Sequence, residues 1–108
     1  MKVVTTLSAA IVLVLFSASA SAALDDAAAM ALIKKSGCAA CHKVDKKLVG
    51  PSFNDVAAKR KGSDPAALVK TVRDGSMGVY GPTKMPPNPV AKIADADLND
   101  LVTWILTK

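Results

Sequence analysis

Apolar positions in this chain fall into one long block followed by short groups with helical spacing. From Val3 to Phe16 almost every residue is apolar, behind a positive Met1-Lys2 start, and Ser17 to Ala23 is built of Ser and Ala. That is the order of a secretory signal peptide, and an apolar run of about 14 residues falls short of the ~20 needed to span a bilayer. Ala18-Ser19-Ala20 and Ala20-Ser21-Ala22 both fit the small-x-small cleavage rule. The expectation is a cleaved leader over residues 1–22 and one domain over residues 23–108. Past the leader no strand-like alternation occurs. Asp25 and Asp26 place acid at the start of a first helix, Leu32 and Ile33 give it an apolar side, Met30 reads as core, and Gly37 stops it. A second helix fits Phe53 to Lys59, with Phe53, Val56 and Ala57 at i, i+3, i+4 and Gly62 beyond. Ser63-Asp64-Pro65 combines a capping residue with Pro at the first helical position; Leu68 and Val72 share the face of the helix that follows, and Gly75 ends it. A last helix carries Leu98, Leu101, Val102 and Ile105 at i, i+3, i+4, i+7, with Asp95 and Asp97 at its front. Trp104 lies beside that stripe and reads as core. Between Gly75 and Pro89, three Gly and four Pro forbid regular helix. A long irregular segment holding Met77, Tyr80 and Met85 inside a small domain reads as a folded, ligand-contacting loop.

The domain left after the leader, about 86 residues, is short of core material. Its aromatics are Phe53, Tyr80 and Trp104, and below about 80 residues side chains alone rarely supply more than about 3–5 kcal/mol. Something else should fill the middle. Export favours disulfides, but Cys38 and Cys41 are the only cysteines, and a bridge between them would close too short a loop to stabilise much. Charge is gathered around them: Lys34, Lys35, Lys43, Lys46, Lys47, Lys59, Arg60 and Lys61 share their stretch with only Asp45 and Asp55. Basic patches bind phosphates, yet an exported chain without interleaved aromatics is not expected to bind nucleic acid. Two readings stay open: a solvated face that maintains solubility, and a docking face for an acidic partner.

Cys38-Ala39-Ala40-Cys41-His42 has the Cys-x-x-Cys-His spacing of covalent haem attachment. Two thiols add to the two haem vinyl groups, and the adjacent imidazole can then reach the iron. A thioredoxin-like redox pair expects a βαβ setting that this helical pattern lacks, and a tetrahedral zinc site needs further ligands where His42 is the only histidine. A plain disulfide leaves His42 idle. Buried haem also supplies the missing core, at about 25 cal/mol per Å² of apolar area. A methionine as sixth ligand suits electron transfer, because it raises the potential and closes the iron to incoming molecules. Met77 and Met85 both lie in the Pro/Gly loop; Met85 is favoured because Pro86-Pro87 stiffens the chain behind it.

Gly37 to His42, Val49-Gly50-Pro51, Asp74-Gly75-Ser76, Gly78 to Pro82, Met85-Pro86-Pro87-Asn88 and the closing Trp104-Ile105-Leu106 together resemble the small bacterial class I cytochromes c of the c-551 type. The resemblance spans nearly all of the domain. It implies an all-α fold of four or five short helices wrapped round one covalent haem c, with His42 and Met85 as axial ligands. It also implies that the Pro51 carbonyl accepts the other ring N–H of His42, that Asn88 bonds the Met85 sulfur, and that Tyr80 and Trp104 meet the propionates or their surroundings. Thr71 stands where relatives often carry a base that contacts a propionate, Lys84 where they carry Pro, and the loop after Asn88 is longer. These departures bear on the propionates and the potential, not on the ligands. The functional expectation is a monomeric periplasmic single-electron carrier, not an enzyme. Its partners would be respiratory redox proteins with acidic docking surfaces, such as a nitrite reductase, peroxidase or oxidase. The competing class is a haem enzyme or gas sensor with an open or displaceable sixth site, which would need a polar distal residue, whereas the loop offers mainly Pro, Gly and Met.

Overall fold

Every helix starts where a side chain can satisfy its first free N–H groups, or where acid complements its dipole. The computed structural model describes residues 10–13 and 24–108, so the expected leader lies, apart from residues 10–13, outside the described residues. Helix α1 runs Asp26–Lys35, with the Asp25 carboxylate accepting from the Ala28 N–H at 2.7 Å and Lys34 and Lys35 in its last turn. Helix α2 is Phe53–Lys59, capped by the Ser52 hydroxyl, which accepts from the Asp55 N–H at 3.1 Å. Helix α3 is Pro65–Asp74, capped by Asp64 with Pro65 in the first turn. Helix α4 is Asp95–Ile105; its N-cap Ala94 has no side-chain cap, and Asp95 and Asp97 supply acid to its first turn instead. One further 3₁₀ turn spans Cys38–Ala40. Among the described residues there are no strands, only two isolated bridges, His42 with Lys47 and Ser76 with Met85.

Helix α4 is the hub, packing against α1, α2 and α3. It buries Leu98, Leu101, Val102, Trp104 and Ile105 against Ala29 and Ile33 of α1, Phe53 and Val56 of α2, Leu68 of α3, and Ile93. Each fully buried Leu, Ile or Val of this kind stabilises by about 1.5–3 kcal/mol. Met30, expected in the core, is 38% exposed: α1 turns Ala29 and Ile33 inward, and Met30 is one position off that stripe.

Trp104 is buried as core, but it is not at the site. Its indole N–H donates to Asp26 Oδ1 at 3.0 Å, and the Lys108 ammonium lies 4.3 Å from its ring centroid and 3.3 Å from the same carboxylate oxygen. The two ends of the domain are thereby joined. The indole hydrogen bond and the Lys108 contact hold the Asp26 carboxyl below the usual carboxylate range.

Candidate functional site

The Cys-x-x-Cys-His stretch folds locally because its backbone closes on itself. Cys41 N–H and His42 N–H both donate to the Cys38 carbonyl, at 3.2 and 3.0 Å, and Ala40 N–H donates to Gly37. This tight turn brings Cys38, Cys41 and His42 onto the lining of one crevice. The His42 ring is held from three directions. Nδ1 is 2.8 Å from the Pro51 carbonyl oxygen, and since a carbonyl only accepts, Nδ1 carries the proton and Nε2 presents its lone pair. Phe53 stacks on the ring at 5.3 Å between centroids. Gly50 passes so close that a Cβ there would stand 2.5 Å from His42 Cε1, so no larger residue fits while the imidazole keeps its place.

A second segment brings Met85 to the same crevice. Ser76 N–H donates to the Met85 carbonyl at 3.1 Å and Met85 N–H to the Ser76 carbonyl at 2.8 Å, so the Pro/Gly loop is closed by a two-bond bridge at the residue of interest. Gly75, at φ +81°, allows the close approach, since a Cβ there would lie 2.6 Å from the Met85 oxygen. Met85 is half-buried, whereas Met77, at the crevice mouth, is 70% exposed. Behind Met85, Asn88 is 6% exposed and gives its side-chain N–H groups to the carbonyls of Val72 (3.1 Å) and Pro86 (3.0 Å). This corrects the expected bond from Asn88 to the Met85 sulfur: the amide hydrogens are spent tying the Met85-Pro86-Pro87 strap to α3. Arg73 adds a pin, donating to the Asn88 carbonyl at 3.1 Å and to Asp95 at 2.6 Å.

The crevice floor is apolar, made by Phe53, Leu68, Leu98, Leu101, Val102 and Ile105, and its space is about 1170 Å³ with the open mouth included. Trp104 is not part of its lining, which corrects the expectation of a contact there: its N–H is committed to Asp26, and Phe53 stands edge-on between it and His42, 6.3 Å from its centroid. Tyr80 does line the crevice, and its hydroxyl is buried without a partner among the described residues. The Lys59 ammonium holds that ring, 4.9 Å from its centroid, while donating to the Val79 carbonyl at 2.9 Å. A deep apolar slot with two thiols, a lone-pair nitrogen, a thioether and an unsatisfied hydroxyl fits a flat apolar macrocycle with polar groups at its edge. Gly50, Lys59 and Arg73 were given no role at the site by the sequence. For Gly50 the signal was the Gly-Pro pair next to a presumed ligand, but the roles of the two bases depend on long-range packing. Outside the crevice, Lys34, Lys35, Lys43, Lys46, Lys47 and Lys61 are exposed and belong to none of the ion pairs among the described residues.

Helical hub, crevice and cysteine–histidine turn define a class I c-type cytochrome. A family model described as cytochrome c oxidase, cbb3-type, subunit III, matches residues 25–105. The chain is 46% identical over 77 residues to cytochrome c2 of Rubrivivax gelatinosus, covering 69% of this chain and 91% of that protein. It is 44% identical over 79 residues to cytochrome c-551 of Pseudomonas aeruginosa, covering 71% and 73%. The crystal structure of wild-type Nitrosomonas europaea cytochrome c552 superposes with a TM-score of 0.67 at 44% identity, covering 72% of this chain and 96% of that one. The chain belongs to the class I cytochrome c family. It carries c-type haem and is an electron-transfer protein, not an enzyme.

Proposed function

We propose that this chain is a periplasmic single-electron carrier whose haem is held by thioethers from Cys38 and Cys41 and ligated by His42 and Met85. The observation that carries the reading is the convergence of both thiols, an imidazole of fixed tautomer and a bridge-pinned thioether on one apolar crevice. The haem supplies the one-electron chemistry. Pro51 and Gly50 orient His42, the Ser76 bridge positions Met85, and the apolar floor excludes water. The exposed lysines from Lys34 to Lys61 form a docking face for respiratory redox proteins with acidic surfaces, such as a nitrite reductase, peroxidase or oxidase. The leader over residues 1–22 directs export and is removed, and the mature carrier works as a monomer.

Optical spectra of the oxidised and reduced protein, with and without carbon monoxide, test the ligation. Wild-type protein should show the weak sulfur-to-iron charge-transfer band when oxidised and ignore carbon monoxide when reduced. Met85→Ala should lose the band, admit carbon monoxide and lower the potential, and Met77→Ala should do none of these. Acid acetone should leave the haem on the polypeptide. Carbon monoxide binding by the wild type would move the chain to the gas-sensing or peroxidase class, and a band lost in Met77→Ala but kept in Met85→Ala would reverse the assignment.

A further inference from the structure

The two cysteines of the crevice are not held alike. Ser36, the C-cap residue of α1, is 2% exposed, and its Oγ lies 2.6 Å from the Leu32 carbonyl oxygen and 3.4 Å from Cys38 Sγ. A carbonyl oxygen only accepts, so the single hydroxyl hydrogen of Ser36 is committed to Leu32. What Oγ offers Cys38 is a lone pair, and the thiol is the donor in that contact. Gly37 makes the meeting possible: at φ +80° it ends α1 and turns the chain so that Cys38 comes back to the last helical turn. Among the described residues no side-chain hydrogen bond reaches the Cys41 sulfur. Leu32, Ser36 and Cys38 all fall within one seven-residue stretch, so the arrangement needs only the end of α1 and not a filled crevice.

A sulfur that donates a hydrogen bond is a thiol that has not yet reacted. Once Cys38 is a thioether, that hydrogen is gone and the bond with it, so the contact serves the step that attaches haem rather than the finished carrier. We propose that Ser36 is a positioning residue for haem attachment at Cys38, holding the free thiol on the crevice lining in the rotamer from which its sulfur meets the vinyl group. In that step the sulfur bonds to the vinyl carbon nearest the ring, the thiol proton ends on the terminal carbon, and no oxidant or reductant is consumed. This rests on Cys38 being one of the two haem-bearing cysteines. Cys41, with no such partner, reacts without help from a neighbouring side chain.

The experiment expresses the full chain in a host that attaches haem to Cys-x-x-Cys-His sequences, as wild type, Ser36→Ala and Thr103→Ala, and samples it early, while attachment is incomplete. Thr103 is the matched control, because its hydroxyl makes the same kind of bond, to the Asn99 carbonyl four residues back at 2.9 Å, on an exposed part of α4. Free thiols are alkylated in denaturant, so folding does not affect the count. Mass spectrometry of the haem-bearing peptide then shows, for chains with a single thioether, which cysteine is still free. Ser36→Ala should raise the ratio of free Cys38 to free Cys41 about threefold over wild type, the order of effect that one hydrogen bond has on a conformer population. Thr103→Ala should keep the wild-type ratio. Ser36→Ala protein carrying both thioethers should show the wild-type sulfur-to-iron band. An unchanged ratio in Ser36→Ala, an equal rise in Thr103→Ala, or an altered band in the doubly attached variant overturns the proposal. If the wild type carries haem on neither cysteine, the thioether reading itself fails; if it carries both thioethers and only the ratio fails to respond, the assignment of Ser36 alone is lost.

Discussion

Replacing Gly75 with Ala should damage the sixth-ligand strap by more than the ordinary cost of losing a glycine. Gly75 sits at φ +81°, ψ 175°, a region that residues with a Cβ enter at a cost of about 1–3 kcal/mol. A Cβ there would also stand 2.6 Å from Met85 O, 3.0 Å from Pro87 N and 3.1 Å from the Pro86 carbonyl carbon. All three are backbone atoms and cannot rotate away, so the strap must shift, adding about 1–3 kcal/mol in line with other overpacking changes. The sum, about 2–6 kcal/mol, is a large share of the roughly 5–15 kcal/mol that stabilises a small domain. Gly62 is the matched control: its φ is +79° and nothing lies within 4 Å of the added methyl, so Gly62→Ala should cost only about 1–2 kcal/mol. Urea unfolding of both haem-bearing variants measures the difference, and the sulfur-to-iron band with carbon monoxide uptake reports where Met85 has gone. Gly75→Ala should weaken the band and admit carbon monoxide; Gly62→Ala should leave both as in the wild type. Equal destabilisation by the two variants would refute the steric reasoning, and an unaltered band in Gly75→Ala would refute its link to Met85.

Phe53→Ala removes the ring between His42 and Trp104 and should cost about 3–5 kcal/mol in urea unfolding; a loss below 1 kcal/mol would show that the stack contributes little. Trp104→Phe should lower stability but leave the optical spectrum and midpoint potential unchanged, because its N–H serves Asp26 and its ring is off the crevice. Asp26 has a folded pKa below its unfolded one, so its contribution is complete above the unfolded carboxylate value and is lost as pH falls through the folded value. The stability gap between wild type and Asp26→Asn should accordingly close on acidification, and a gap that widens contradicts the Trp104–Asp26 bond. Electron transfer to an acidic partner should slow as ionic strength rises to about 0.15 M, where the Debye length is about 8 Å. A rate indifferent both to salt and to reversing Lys46 and Lys47 returns the lysines to the role of a solvated face.

What was legible in the sequence is what local chemistry decides. The acid at Asp25 and Asp26, the spacing of Phe53, Val56 and Ala57, and the Ser63-Asp64-Pro65 signal marked α1, α2 and α3, and the 98, 101, 102, 105 stripe of α4 marked the helix on which the others pack. The cysteine–histidine spacing located one side of the crevice because a single turn of backbone builds it. Errors came where the partner is far away in the chain. Trp104 bonds Asp26 across 78 positions, so nothing near residue 104 could say that its N–H was taken. Asn88 gives one amide hydrogen to Val72, sixteen residues back, and the other to Pro86, which leaves none for the Met85 sulfur. Met30 was misplaced for a smaller reason: in an alanine-rich helix Ala29 can take the inward position, leaving the larger neighbour at the surface.

The Pro/Gly loop shows how such distant contacts make an irregular segment definite. Pro86-Pro87 restricts the backbone behind Met85, but stiffness alone does not choose a location. The location comes from α3 and α2: the Ser76 bridge just past the end of α3, the Asn88 and Arg73 bonds along its last turn, and the Lys59 grip on Val79 and Tyr80. Each of these anchors lies on or beside a helix whose inner face packs into the crevice floor, so filling the crevice and placing Met85 are coupled. A large apolar group in the slot stabilises the same packing that holds the strap, and a strap held in place closes the slot to water. Loosening any one anchor should therefore appear first as opening of the sixth site, at a denaturant concentration below that of global unfolding.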